Sequence, residues 1–224
     1  IITDGWSISV LLKDFFTLLA EQYAKNETYT KPLPIQYKDF VAWQTAQLLD
    51  EEKMSKHREY WCEKLGGEQP VINLHGETER PPLKTNEGAS YLFPLTEKQS
   101  HGLTALSNKA GVTVFMTLVA LVKTVLHKYS GDEDIVIGTP LAGRSHKDLE
   151  DQAGLYINLV ALRDTVNVEM PFSKLLANVG QTTLDAYEHQ DYPAINLIQD
   201  LELDIDPSRN IGFDVLIVFH NNDA

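Results

Sequence analysis

The sequence contains a single cysteine, Cys62, in 224 residues. No disulfide framework and no cysteine-based metal site can therefore be assembled within one copy of the chain, no metal is expected, and a reducing, cytoplasmic setting fits. No apolar run approaches the ~20 residues of a membrane span, and nothing has the form of a signal peptide. Basic residues are scarce: 19 Lys and Arg stand against 32 Asp and Glu, a net charge of -13. Without a concentrated basic face, neither a nucleic-acid backbone nor an anionic membrane surface is an expected partner. Gly138, Gly143 and Gly154 fall into neither GxGxxG nor GxxxxGK[ST] spacing, which removes the common phosphate-cradling loops. Internal repeats and low-complexity tracts are absent too. So is an initiating methionine: Ile1 cannot open a reading frame, so the sequence reads as a piece of a longer protein.

What is present is a globular composition, 43% apolar, enough to fill a core. Ile8, Leu11, Leu12, Phe15, Phe16 and Leu19 recur at helical spacing behind Ser7, which predicts an amphipathic helix capped by Ser7 with one buried side. Two prolines in Asn26–Pro34 stop it and mark the best internal boundary. Tyr37 to Leu65 reads as one helical region ended by Gly66-Gly67. The polar, Pro81-Pro82-bearing stretch from Glu77 to Gly88 reads as a loop, and Ala89 to Leu95 as a strand. Thr96-Glu97-Lys98-Gln99 has capping-box form and opens a helix ended by Gly111. Val114 to Leu126 is apolar enough for a helix buried on most sides. Asp134–Gly138 and Asn158–Leu162 have strand character, Pro171 opens a helix towards Tyr187, and Asp214–Phe219 is a last strand. Irregular alternation of this kind predicts a mixed α/β fold, a mixed sheet with packed helices.

Several segments also match a known pattern in order. Ile1-Ile2-Thr3-Asp4-Gly5-Trp6-Ser7 resembles the second half of the His-His-x-x-x-Asp-Gly signature of condensation domains of nonribosomal peptide synthetases. Tyr37-Lys38-Asp39-Phe40-Val41-Ala42-Trp43-Gln44 is similar to the family's Tyr-x-Asp-Tyr/Phe-Ala-x-Trp-Gln motif. Ile137 to His146, with Gly138-Thr139-Pro140 and Ala142-Gly143-Arg144, resembles its Gly-Thr-Pro-x-Ala-Gly-Arg segment, and Gly154-Leu155-Tyr156-Ile157-Asn158 the Gly-x-Phe-Val-Asn that follows. His189-Gln190-Asp191-Tyr192-Pro193 and Ser208 to Asp214 look like the last two family motifs. The resemblance covers nearly the whole chain.

That resemblance implies a lobe of the chloramphenicol-acetyltransferase type, part of a two-lobed, V-shaped domain. Residues 1–31 would end the N-terminal lobe and carry the remnant of the active-site motif; residues 32–224 would form most of the C-terminal lobe. The rest of the N-terminal lobe would lie outside the sequence, and the two motif histidines just ahead of Ile1. The implied activity is amide-bond formation between a donor aminoacyl or peptidyl thioester on an upstream peptidyl carrier protein and the amine of an acceptor aminoacyl thioester on a downstream one. Phosphopantetheine would be supplied by those carriers, with no cofactor bound intrinsically, and an adenylation domain would be adjacent. Asp191-Tyr192 and Arg209-Asn210 resemble members taking an L-configured donor. Ala194, Ile195, Tyr156 and Leu159 depart from the usual residues.

Asp4 and Gly5 are the implied catalytic-motif remnant. Asp4 is expected either to form a structural ion pair with Arg144 or, more simply, to be an acid favoured by a helix N-terminus, with Arg144 a solvated loop cation. Gly5 would let a pantetheine and thioester approach the backbone, or merely turn the chain before the helix. Trp6, Tyr156 and Asn158 would line a substrate tunnel; core aromatics and a strand-end Asn are the bland alternatives. None of the seven histidines takes the place of the motif base by spacing, so the chain alone is expected to be inactive. Two other readings compete: a noncatalytic relative of the fold that recruits a partner, and a free-standing acyltransferase acting on a soluble substrate.

Overall fold

A computed structural model describes residues 2–24, 32–74, 80–85, 87–203 and 206–220. The element order is α1 (Gly5–Ala24), α2 (Tyr37–Leu48), α3 (Glu51–Leu65), α4 (Glu97–Ala110), α5 (Val114–Ser130), β1 (Asp134–Leu141), a 3-10 turn (Lys147–Leu149), β2 (Asn158–Thr165), α6 (Phe172–Glu188), α7 (Ala194–Asp200) and β3 (Val215–Leu216). The fold is mixed α/β, as its sequence predicts.

β1 is the centre of a sheet ordered β2-β1-β3. It pairs antiparallel with β2, Asp134 opposite Thr165 and Leu141 opposite Asn158, and parallel with β3, Ile137 opposite Val215. Consecutive residues Ile135, Val136 and Ile137 are all buried, so both faces of the strand are covered and alternation is lost. α5 and α6 pack on each other and on β1 and β2 respectively, while α3 and α7 pack on each other and on β2. Trp61 and Leu65 of α3 enter the same core as Val119 of α5, Leu162 of β2 and Val179 of α6. Lys123 is buried in that core; its Nζ donates to the carbonyls of Ile135 at 2.8 Å and Leu162 at 2.7 Å and lies 3.0 Å from Asp164. The ammonium thus ties α5 to both long strands, although burial lowers its pKa against the pull of Asp164.

Local chemistry accounts for the helix ends. Thr96 and Thr113 each accept an N–H from the residue three positions on, opening α4 and α5. Gly111 and Gly131 close those helices in the left-handed region, φ 68° and 79°.

Five expectations need correction. The region from Tyr37 to Leu65 is two helices, because Asp50 breaks it and caps α3 by accepting the Lys53 N–H. Ala89–Leu95 forms no strand: it finds no ladder partner among the described residues, and Tyr91, Leu92 and Phe93 are exposed. The final strand shrinks to Val215–Leu216, and α7 follows Pro193 where the sequence pattern predicts no helix. Finally, α1 buries only Ser7 and Val10; Ile8, Leu11, Leu12, Phe15, Phe16 and Leu19 stay exposed among the described residues. The helix docks through its first turns alone. Residues 26–31 of the proline-bearing segment 26–34, and with them the boundary at 31, lie outside the described residues, as do 77–79 and 86 of the predicted loop.

Candidate functional site

Asp4 stands immediately before α1, and its Oδ1 accepts the Ser7 N–H at 2.8 Å. This carboxylate is the helix cap, so Ser7, expected in that role, sits inside the first turn. Ser7 is wholly buried and has a different task. Its hydroxyl oxygen is 2.7 Å from Asp4 Oδ1 and 2.8 Å from the Gly154 carbonyl, sharing one proton between them. It also accepts the Gly154 N–H at 3.0 Å and an Arg144 Nη2 hydrogen at 3.1 Å.

Arg144 reaches the same point from the loop after β1. Its Nη2 is 3.2 and 3.4 Å from the two oxygens of Asp4, and its Nη1 donates to the carbonyls of Leu149 and, at 2.8 Å, Gln152. The side chains of Arg144 and Asp4 are 1% and 3% exposed, which takes the pair out of the class of weak surface bridges. Burial pushes the Asp4 carboxyl upward, but the two hydrogen bonds from Ser7, the Tyr156 N–H at 3.1 Å and the Arg144 charge outweigh it. The carboxyl is held below its ordinary value of 3.8.

The guanidinium lies against the Tyr156 ring, 4.0 Å from its centre, with Trp6 on it at 5.7 Å. Tyr156 is buried; its hydroxyl donates to Gln152 Oε1 at 2.6 Å, and Gln152 Nε2 in turn donates to the carbonyls of Ile35 and Asp148. Phe40, Leu149 and Tyr156 form a small second core under the pair. Gly143 has φ 63°, and a Cβ there would collide with the Tyr156 carbonyl, 2.9 Å from its carbon and closer still to its oxygen. The turn that aims Arg144 admits only glycine.

Beyond Tyr156, a cleft of about 550 Å³ opens between α2, α3 and the start of α7, with Trp43, Met54, Asn158 and Ile195 in its walls. The condensation-domain family model matches residues 1–224. The chain belongs to the condensation-domain family. It is 39% identical over 223 residues to gramicidin S synthase 2 of Brevibacillus brevis, covering 100% of this chain and 5% of that protein. Bacitracin synthase 3 of Bacillus licheniformis is 40% identical over 224 residues, with 100% and 3% covered. The chain thus spans a small part of the length of these curated relatives. Among solved structures, the X-domain from teicoplanin biosynthesis matches with a TM-score of 0.85 at 23% identity, covering 96% of this chain and 49% of that one.

Within this condensation domain the residues singled out from sequence fall into two groups. Asp4, Gly5, Trp6, Arg144 and Tyr156 converge at the start of α1. Trp6 donates its indole N–H to the Glu150 carbonyl at 2.8 Å. Gly5 is the first residue of α1 and has nothing within 4 Å of where a Cβ would point. Asn158 lies apart, in the wall of the cleft. Its Nδ2 donates to the carbonyls of Gln190 and Tyr192 at 2.7 and 3.0 Å, and its Oδ1 accepts the Leu159 N–H at 3.0 Å. Ser7 and Gln152 are not singled out by the sequence as members of the site. A Ser three residues after Asp4 was available as a signal; Gln152, central to the support of Tyr156, had none. Among the described residues there is no group of three or more metal-ligating side chains, and no single helix is long and apolar enough to cross a membrane.

Proposed function

We propose that the chain is part of a condensation domain that forms a peptide bond between a carrier-bound, L-configured donor thioester and the amine of a carrier-bound acceptor. The single observation that supports this most is the buried Asp4–Arg144–Ser7 cluster, which fixes the backbone at the Asp-Gly end of the motif. A rigid anchor is what an attack of an amine on a thioester needs, because the group that positions the proton must be held to a fraction of an ångström. Asp4 and Arg144 act here as positioning residues, and the open space beside Gly5 leaves its backbone free for a pantetheine thioester to approach. Trp6, Tyr156 and Asn158 border the path taken by the substrates.

On this reading residues 1–31 end one lobe and residues 32–224 make most of the other. The exposed apolar face of α1 is covered by the remainder of the N-terminal lobe. Phosphopantetheine arrives on upstream and downstream peptidyl carrier proteins, an adenylation domain is a neighbour, and the setting is cytoplasmic. Proton transfer is assigned to none of the six histidines among the described residues: His57 and His189 bond each other, His127 bonds the Asp132 carbonyl, His146 caps the 3-10 turn, and His101 and His220 are exposed.

The test is a carrier-loading assay of peptide formation. The domain containing this chain and the complete motif should yield dipeptidyl carrier with an L-donor, and the 224 residues alone should yield none. A complete domain that holds both carriers without forming product would replace catalysis with recruitment. Product from a soluble acyl donor without carriers would favour a free-standing acyltransferase.

A further inference from the structure

His57, on α3, and His189, at the end of α6, are 132 residues apart in sequence, yet their Nδ1 atoms are 3.0 Å apart. Neither nitrogen can carry a proton at that distance unless the other lacks one, so the contact holds a single shared proton. The rings meet edge to face at 76°. His189 is buried, stacked at 4.1 Å and 7° on Tyr60, and its carbonyl accepts the Trp61 indole N–H at 2.9 Å. His57 lines the cleft.

The pair sits at one end of the segment from His189 to Ala194, which forms one wall of that cleft. The Tyr192 N–H bonds the His189 carbonyl at 3.3 Å, and the Tyr192 hydroxyl bonds Asp200 of α7, itself paired with Arg58 of α3 at 2.9 Å. Asn158 holds the middle of the segment. His57–His189, Trp61–His189 and the stack on Tyr60 are therefore what ties its first residue to α3.

We propose that the His57–His189 pair is a one-proton latch, closed on the cleft wall while one proton is shared between the two Nδ1 atoms and released when both imidazoles are charged and each Nδ1 carries its own. The charges facing it are mixed. Lys56 of α3 opposes a second proton; Asp185 and Glu188 of α6 favour one, but Glu188 is already paired with Lys56 at 3.1 Å. Lys53 and Asp191 line the same cleft, and Asp200 is paired with Arg58. Burial, then the neighbouring His57, lowers the His189 pKa below its ordinary 6.5. The folded state therefore takes the second proton less readily than the unfolded chain, and the latch's contribution is full above that value and is lost as the pH falls below it.

The experiment uses the whole condensation domain that contains this chain and follows amide exchange of residues 190–194 at pH 7.5 and 5.5, corrected for the intrinsic rate. The wild type should open about tenfold more at the lower pH. His57→Gln keeps a hydrogen-bonding side chain but removes the cationic neighbour, while burial still acts on His189, so its opening should change less with pH than that of the wild type. Equal pH responses in the two proteins would overturn the proposal. Should the variant fail to fold, a nitrogen-15 titration of the wild-type imidazoles decides: two separated steps support the shared proton, and two independent titrations near 6.5 refute it.

Discussion

Asp4 and Arg144, 140 residues apart in sequence, meet at 3.2 Å in a pocket that leaves their side chains 3% and 1% exposed. Removing the cation strands a buried carboxylate that also caps α1. Arg144→Ala should therefore cost about 3–5 kcal/mol, the usual penalty for breaking a buried pair, read as a lower urea midpoint at unchanged slope. The acid limb gives a second reading. Asp4 titrates below 3.8 when folded, so its contribution is present above that value and is lost as the pH falls through the lower, folded one. In Arg144→Ala the folded value moves up, so this limb should shrink and end at a higher pH.

Ser7→Ala separates the network from the cap. Asp4 keeps its bond to the Ser7 N–H, so α1 still begins in the same place. The Gly154 N–H and carbonyl, however, lose the hydroxyl that serves both. Buried groups left unpaired cost about 1–3 kcal/mol, and thermal melting should fall accordingly while helix content by circular dichroism is unchanged.

Much of this was legible in the sequence, for definite reasons. Thr96 with Gln99, and glycines 111 and 131, act within one helical turn, so their bonds are written locally. The motif segments name Asp4 and Arg144 together but leave cap and ion pair as alternatives; a carboxylate has two oxygens, and Asp4 does both. The failures involve partners distant in sequence. Ala89–Leu95 has strand composition, but a ladder needs a neighbour, which composition cannot supply. Asp50 looks like an interior position of a long helix because Leu48 and Leu49 continue the apolar pattern up to it. His57 and His189 meet only because α3 and α6 are brought together by the core around Trp61.

Gly143→Ala and Gly131→Ala form an internal control. Both glycines are left-handed, φ 63° and 79°, but a Cβ at 131 meets nothing within 4 Å, whereas one at 143 collides with the Tyr156 carbonyl. Gly131→Ala should cost only the conformational strain, about 1–2 kcal/mol. Gly143→Ala adds an overpacking cost and should reach about 2–5 kcal/mol. Equilibrium unfolding of the two variants side by side measures the difference, which should vanish if the turn before Arg144 can shift freely.

Asn158 gives the prediction that separates a wall-building role from contact with substrate. Its amide is committed to the Gln190 and Tyr192 carbonyls, and its oxygen to the Leu159 N–H and, at 3.4 Å, the Ala194 N–H. Asn158→Ala leaves two carbonyls short of a donor and should cost about 1–3 kcal/mol, with faster amide exchange confined to residues 190–194. Asn158→Asp should be worse, since a carboxylate cannot donate and faces the same two carbonyl oxygens. A residue whose work was done on the substrate would behave differently: peptide formation would drop in both variants while melting and exchange stayed at wild-type values. The order Asn, then Ala, then Asp in melting temperature, followed by the same order in loop protection, is the signature of a side chain whose business is holding the cleft wall.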